Sequence, residues 1–190
     1  MQLADLLADL NDAQISGGTD REIAGVAHDS RTAVPGSLFV CIRGFAQDGH
    51  AFIGEAVRRG ALAVVIEQDP ALLAIPPDVT VIRVGNSRSA LARLAARFSR
   101  HPSRALRLIG VTGTNGKTTT AYLAEAVARA AGHRFGLLGT IAYRCGETTF
   151  PGERTTPESS DLQGLLARMR DMGAWGAAME VSSHSLMLHR

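Results

Sequence analysis

The chain has 190 residues, of which 45% are apolar and 20% charged, with a formal net charge of +2. That length supports one domain or two small ones with real cores, and the composition excludes a disordered chain. The arginines are scattered, with no basic stripe interleaved with aromatics, so nucleic acid is not an expected partner.

In chain order, Leu3, Leu6, Leu7 and Leu10 recur at helical spacing and predict a short amphipathic opening helix. Asp5 and Asp9 lie in that helix and no basic region precedes it, so no secretory signal is expected. A short apolar segment leads to the polar cluster His28-Asp29-Ser30-Arg31, in isolation only a turn. The turn pair Pro35-Gly36 precedes a buried strand over 37–42. A loop over 43–50 holds Asp48-Gly49-His50, with Asp48 placed to cap the next helix. That helix, with Phe52, Ile53, Ala56 and Val57 on one face, stops at Gly60. Apolar runs at 61–66 and 79–84 read as strands, and Asn86 or Ser87 caps a helix that turns Leu91, Leu94, Ala95 and Phe98 inward.

The segment Ser99-Arg100-His101-Pro102-Ser103-Arg104 breaks that helix and is the expected linker, which divides the chain into domains at 1–102 and 103–190. Beyond it the rhythm is strand (106–111), loop, helix (117–131), strand (135–141), a β-like stretch (145–150), helix (Leu162, Leu165, Leu166, Met169) and strand (177–181). Strands alternating with helices predict an α/β fold, a small N-terminal α/β domain followed by a P-loop-type parallel α/β domain. No apolar run reaches membrane-spanning length, so no membrane is expected. Cys41 and Cys145, far apart and in no metal-type spacing, read as reduced buried thiols of a cytoplasmic protein.

The stretch Gly110-Val111-Thr112-Gly113-Thr114-Asn115-Gly116-Lys117-Thr118-Thr119-Thr120 lies between a strand and a helix, the order a phosphate cradle requires. Glycines let backbone N–H groups turn inward, the helix N-terminus adds roughly half a positive charge, and a lysine reaches the phosphates while a hydroxyl ligates Mg²⁺. The spacing departs from G-x-x-x-x-G-K-[ST], because Val111 stands where that pattern places its first glycine. Even so, Gly113, Thr114, Asn115, Gly116, Lys117, Thr118 and Thr119 together point to a nucleoside triphosphate site, with Mg²⁺ at the Thr118 hydroxyl.

Three other constellations stand out. Glu180 follows an apolar run at a strand end, where an acid beside a phosphate loop suits Mg²⁺; its commoner role is a surface acid. His184 is a candidate for a second cation or a phosphate oxygen, although on spacing alone a hydrogen-bonded polar residue is the more frequent outcome. Thr155-Thr156-Pro157-Glu158 opens a helix, where hydroxyls either cap or hold an anion, capping being the commoner role.

Taken together, GVTGTNGKTTT, Thr155-Thr156-Pro157 and Glu180-Val181-Ser182-Ser183-His184 resemble the Mur ligases. So do His28-Asp29-Ser30-Arg31, residues 35–40, residues 44–50 and Gly60-Ala61. The likeness runs from about residue 26 to Arg190 and is greatest for the members that add a diamino acid. It implies a ligase of peptidoglycan precursor synthesis. ATP would phosphorylate the terminal carboxylate of UDP-N-acetylmuramoyl-L-alanyl-D-glutamate, and the amine of meso-diaminopimelate or L-lysine would attack the acyl phosphate. It further implies that Gly113 to Thr119 hold ATP and that Lys117, Glu180 and His184 are catalytic. Thr118, Glu180 and His184 would serve Mg²⁺. Ser30, Phe45, Ala46 and Gln47 would hold the uridine end, and Thr155, Thr156, Ser182 and Arg190 the muramoyl-peptide end. Leu188 departs from a substrate-contacting glutamine of some members, so that role is not carried over.

The family has three domains and well over twice this length. The expectation is therefore an N-terminal portion with an incomplete ATP-binding domain, lacking the downstream lysine that the family carbamylates and the domain that selects the amino acid. The parent would be a cytoplasmic monomer. The alternatives are a non-catalytic nucleotide- or UDP-sugar-binding module and a generic P-loop NTPase.

Overall fold

The computed structural model describes residues 1–44, 47–152 and 154–190. The chain forms two compact units, Met1–Phe98 and Ser99–Arg190, a division four residues before the one expected from the Pro102 break.

In the first unit, β1 (Gln14–Ser16), β2 (Gly25–Ala27), β3 (Ser37–Val40), β4 (Ala63–Ile66) and β5 (Thr80–Arg83) form one sheet in the order β1-β5-β4-β3-β2. All neighbours are parallel except β1, which runs antiparallel along β5 with Ile15 opposite Ile82. The central strands β3 and β4 are buried throughout, because helices cover both faces and leave no polar side to alternate with. Successive residues serve opposite cores. Leu38, Val40, Ala63, Val65 and Ile82 meet Leu3, Leu6 and Leu7 of α1 (Leu3–Leu7) and Leu91 and Leu94 of α3 (Ser87–Phe98). Phe39, Cys41, Val64 and Ile66 meet Ile53 and Ala56 of α2 (Ile53–Arg58). Asn86 caps α3, its side chain accepting from Ser89 N at 2.9 Å. The strand β1 carries no apolar alternation strong enough to find in the sequence, and it forms only because β5 offers it an open edge.

The second unit has β6 (Arg107–Val111), β7 (Phe135–Leu138), β8 (Tyr143–Cys145), β9 (Thr148–Phe150) and β10 (Gly176–Glu180) in the order β6-β10-β7-β8-β9. The strands β6, β10 and β7 are parallel, and β8 and β9 add an antiparallel hairpin where the sequence suggested one β-like stretch. One face packs on α6 (Ser159–Asp171) through Leu138, Ala177, Leu162, Leu166 and Met169. The other packs on α5 (Lys117–Ala130) through Phe135, Leu137, Ala178, Ala121 and Ala128. The expected linker carries a short helix, α4 (Pro102–Ala105), and the chain finishes in α7 (Ser183–Met187), too short to show a period. Both cysteines are buried and unpaired. No helix among the described residues is long and apolar enough to cross a membrane.

Candidate active site

Because β6, β10 and β7 are parallel, their carboxyl ends share one edge of the sheet, and the loops leaving that edge converge. The loop after β6 is residues 112–116. It enters α5 through Gly116, whose φ of +80° lies in the left-handed region that a side chain resists. This directs the first turn of a 14-residue helix, with its unpaired N–H groups and positive dipole end, into the convergence point. Lys117 begins the helix and folds back, its Nζ donating to the Gly113 carbonyl at 2.8 Å.

Glu180 is the last residue of β10 and only 1% exposed. A buried carboxylate is costly unless several donors converge on it, and three do. Thr118 Oγ1 donates to Oε1 at 3.0 Å, the Thr140 amide to Oε1 at 2.9 Å, and Thr140 Oγ1 to Oε2 at 3.3 Å. The close fit depends on Gly139, where a Cβ would lie 2.4 Å from Glu180 Oε1. Thr140 Oγ1 also lies 3.0 Å from Thr155 Oγ1. Residues Thr114 to Thr119, Thr140, Thr155, Glu180 and Ser182 together line an open pocket of about 470 Å³.

Thr156 is buried and structural: its hydroxyl donates to the Glu180 carbonyl at 2.9 Å and accepts from Ser182 N at 3.3 Å. It therefore clips the loop before α6 to the end of β10. Ser182 caps α7, accepting from Ser185 N at 3.1 Å. Arg190 pairs with Glu158 at 2.8 Å, and Arg154 shares the same oxygen at 2.9 Å. Among the described residues, the Arg190 Nε is buried without a hydrogen-bond partner. His184 is exposed on the first turn of α7 and is not among the residues lining the pocket.

In the first unit, Ser30 is buried and its hydroxyl donates to Glu55 Oε2 at 2.8 Å. That bond, with help from Arg59, holds the Glu55 carboxyl below its ordinary range. Asp29 caps the turn that carries Ser30 and is forked by Arg31, which pulls its pKa down to about 2. Gln47 is exposed and its carbonyl accepts from Gly44 N at 2.9 Å, closing the loop. Phe45 and Ala46 lie outside the described residues.

Sequence reasoning thus brought Thr118, Lys117 and Glu180 to one place but missed Thr140. The sequence pattern places Thr140 inside a strand over 135–141, whereas β7 ends at Leu138 and leaves Thr140 in the loop just beyond the strand's carboxyl end, where ligand-binding residues gather.

The fold and this pocket define a class. The description "Mur ligase family, catalytic domain" matches residues 22–99, and "Mur ligase middle domain" matches residues 111–190. The chain belongs to the Mur ligase family.

Within the family, it is 44% identical over all 190 residues to the UDP-N-acetylmuramoyl-L-alanyl-D-glutamate--2,6-diaminopimelate ligase of Caldanaerobacter subterraneus subsp. tengcongensis, of which it covers 39%. It is 46% identical to the protein of the same name from Geobacter metallireducens, of which it covers 37%. The chain thus spans a little over a third of the length of these curated relatives. A solved structure of a UDP-N-acetylmuramoyl-L-alanyl-D-glutamate--2,6-diaminopimelate ligase superposes with a TM-score of 0.76 at 28% identity, over 93% of this chain and 35% of that one. The MurF ligase of Thermotoga maritima, solved in complex with ADP, shares the fold with a TM-score of 0.57 at 24% identity, over 84% of this chain and 32% of that one.

Proposed function

We propose that this chain is the part of a diaminopimelate-adding Mur ligase that binds ATP and the UDP-linked muramoyl dipeptide. The observation that carries the reading is the meeting of the phosphate loop with a buried acid: Thr118, on the first turn of α5, lies 3.0 Å from Glu180 at the end of β10. An open pocket lined by hydroxyls, backbone N–H groups and one carboxylate suits a polyanion that arrives with a cation, and suits little else.

The donor set fits Mg²⁺. Thr118 and Glu180 offer hard oxygens side by side, and no group of three or more His, Cys, Asp or Glu among the described residues forms an all-protein cage. Mg²⁺ characteristically takes one or two protein oxygens and fills its shell with phosphate and water. When bound, it neutralises charge on the phosphates during transfer. His184 is assigned to a cation on the family likeness alone.

In the reaction we assign to the full-length ligase, a carboxylate oxygen of the dipeptide forms a bond to the γ-phosphorus as the bond to the β-phosphate oxygen breaks and ADP leaves. The amine of diaminopimelate then attacks the acyl carbon and inorganic phosphate leaves. Phosphoryl transfer of this kind asks the protein for alignment and charge stabilisation rather than covalent help. Residues Gly113 to Thr119 supply both, through backbone N–H groups and the Lys117 ammonium. To reach phosphate, Lys117 gives up its bond to the Gly113 carbonyl. Thr155, Ser182 and Arg190 are assigned to the muramoyl-peptide end, with Thr156 holding their loop. Ser30 and Gln47, with Phe45 and Ala46, are assigned to the uridine end. We also infer a cytoplasmic parent, since ATP and the UDP-linked precursor are supplied in the cytoplasm, and assign it a monomeric state on the family likeness alone.

Calorimetric titration with the non-hydrolysable analogue AMP-PNP, with and without Mg²⁺, tests the reading. The wild-type chain is expected to bind, more tightly with Mg²⁺. Lys117→Ala is expected to weaken binding by about 10- to 100-fold, the range for a hydrogen bond to a charged group. Equal affinity in Lys117→Ala would remove the phosphate-loop assignment.

A further inference from the structure

Thr140 lies outside the phosphate loop, the Thr155-Thr156 loop and the strand-end acid, yet it touches two of the three. Its amide and its hydroxyl engage different oxygens of the Glu180 carboxylate, at 2.9 and 3.3 Å, and its Oγ1 is 3.0 Å from Thr155 Oγ1. A hydroxyl has one proton to give and lone pairs to receive. Glu180 accepts from Thr118 Oγ1, from the Thr140 amide and, through Oε2, from Thr140 Oγ1, so the Thr140 proton is used there and Thr140 accepts from Thr155. The hydroxyls therefore run in one direction, Thr155 to Thr140 to Glu180.

A threonine in a strand-end turn is ordinarily occupied by its own backbone. Here the Thr140 side chain is instead spent on the buried Glu180 carboxylate 40 positions further along, although Thr140 itself is exposed. The preceding residue, Gly139, has no room for a Cβ because Glu180 Oε1 fills that space. The whole 139–140 turn is thus shaped around the acid.

We propose that Thr140 is a positioning residue for the nucleotide-cation site. It holds the Glu180 carboxylate in the orientation that presents its oxygens beside Thr118, and it ties that orientation to Thr155, which also lines the pocket. The inference rests on the proposed nucleotide site and deepens it. Thr140 contributes to the part of the affinity that the cation adds, because its hydroxyl acts through Glu180 and not on the phosphates.

The test is the gain in AMP-PNP affinity on adding Mg²⁺, measured by calorimetry for wild type, Thr140→Val, Thr140→Ala and Thr140→Ser. Thr140→Val and Thr140→Ala are expected to lose about tenfold of that gain while their affinity in EDTA stays within about twofold of wild type, as for loss of one charge-assisted hydrogen bond. Thr140→Ser, which restores the hydroxyl, is expected to recover most of it. A merely structural role would lower both affinities together and would not be rescued by serine. Full retention of the Mg²⁺-dependent gain in Thr140→Val and Thr140→Ala overturns the positioning role and leaves the nucleotide site standing. Absence of Mg²⁺-dependent binding in the wild type overturns both.

Discussion

The two units carry sheets of the same size, each with a parallel centre, but they treat the polar groups at the strand ends in opposite ways. In the first unit these groups are consumed by one another. Asp48 accepts from the His50 amide at 3.0 Å, from His50 Nδ1 at 2.5 Å and from Gln68 Nε2 at 3.0 Å. His50 Nε2 in turn accepts from the Glu67 amide at 3.1 Å, which fixes the proton on Nδ1. Glu67 closes the network by accepting from both the amide and the hydroxyl of Ser87 at 2.7 Å. Burial pushes the Asp48 carboxyl up, but the bonds from His50 and Arg43 outweigh it and hold the group below its ordinary range. In the second unit the corresponding loops stay exposed, and the donors surround a pocket instead of closing it. A saturated network makes a frame; hydroxyls left around one buried acid leave an open pocket, the proposed receptor.

The largest expected effect breaks the frame without touching the receptor. His50 is 6% exposed, and His50→Ala strands the Glu67 amide and removes the Nδ1 bond to Asp48, the shortest of those that Asp48 accepts. Leaving buried polar groups unpaired costs about 1–3 kcal/mol each, so urea unfolding of the first unit is expected to shift by about 3 kcal/mol. AMP-PNP affinity of the folded variant is expected to stay at the wild-type value. A parallel loss of stability and nucleotide affinity would erase the distinction between frame and receptor.

A smaller effect sharpens the comparison from the other side. Ser30 is the one group of the first unit's frame that we also assign to a ligand. Its proton is committed to Glu55, so toward a ligand it can only accept, as from an N–H of a base. Ser30→Ala is expected to weaken binding of the UDP-linked dipeptide by about 3- to 10-fold, the worth of one neutral hydrogen bond, and to leave AMP-PNP binding alone. Unchanged affinity for the UDP-linked ligand would confine Ser30 to the frame.

The same contrast explains what could be read from the sequence. The proposed receptor draws on consecutive residues, Gly113 to Thr119, and its chemistry shows in the order of strand, glycines, lysine and threonine. Glu180 was legible because it ends an apolar run. The frame is built by pairs such as Ser30 with Glu55 and His50 with Glu67, separated by 17 to 25 positions. Each partner alone reads as an ordinary turn or surface residue. Thr140 fell between the two: local order reads it as part of a strand over 135–141, and its meaning comes from Glu180, 40 residues on. Asp48 and Asn86 were legible as caps, since capping is a local bond. The strand β1 and the helix α7 were not, because tertiary contacts rather than their own short patterns create them.

The smallest effect lies at Asp29, the cap of the turn that presents Ser30. Arg31 forks its carboxylate, with Nε at 2.9 Å from Oδ1 and Nη2 at 2.5 Å from Oδ2, and the pKa falls to about 2. An unfolded aspartate titrates near 3.9. Between these values the unfolded chain binds more protons than the folded one, so this contribution to stability rises with pH, is fully present above about pH 4 and is lost as pH falls toward about 2. Arg31 is largely exposed, so solvent screening limits the contribution to about 1 kcal/mol or less. Asp29→Asn keeps an oxygen for the cap but cannot be ionised. Its stability deficit relative to wild type is expected to be constant from pH 7 to 5 and to shrink from pH 4 to 3, measured as the difference between paired urea unfolding curves. A deficit that holds its size down to pH 3 would mean that Asp29 serves the turn through its cap alone, with the Arg31 fork adding nothing to stability.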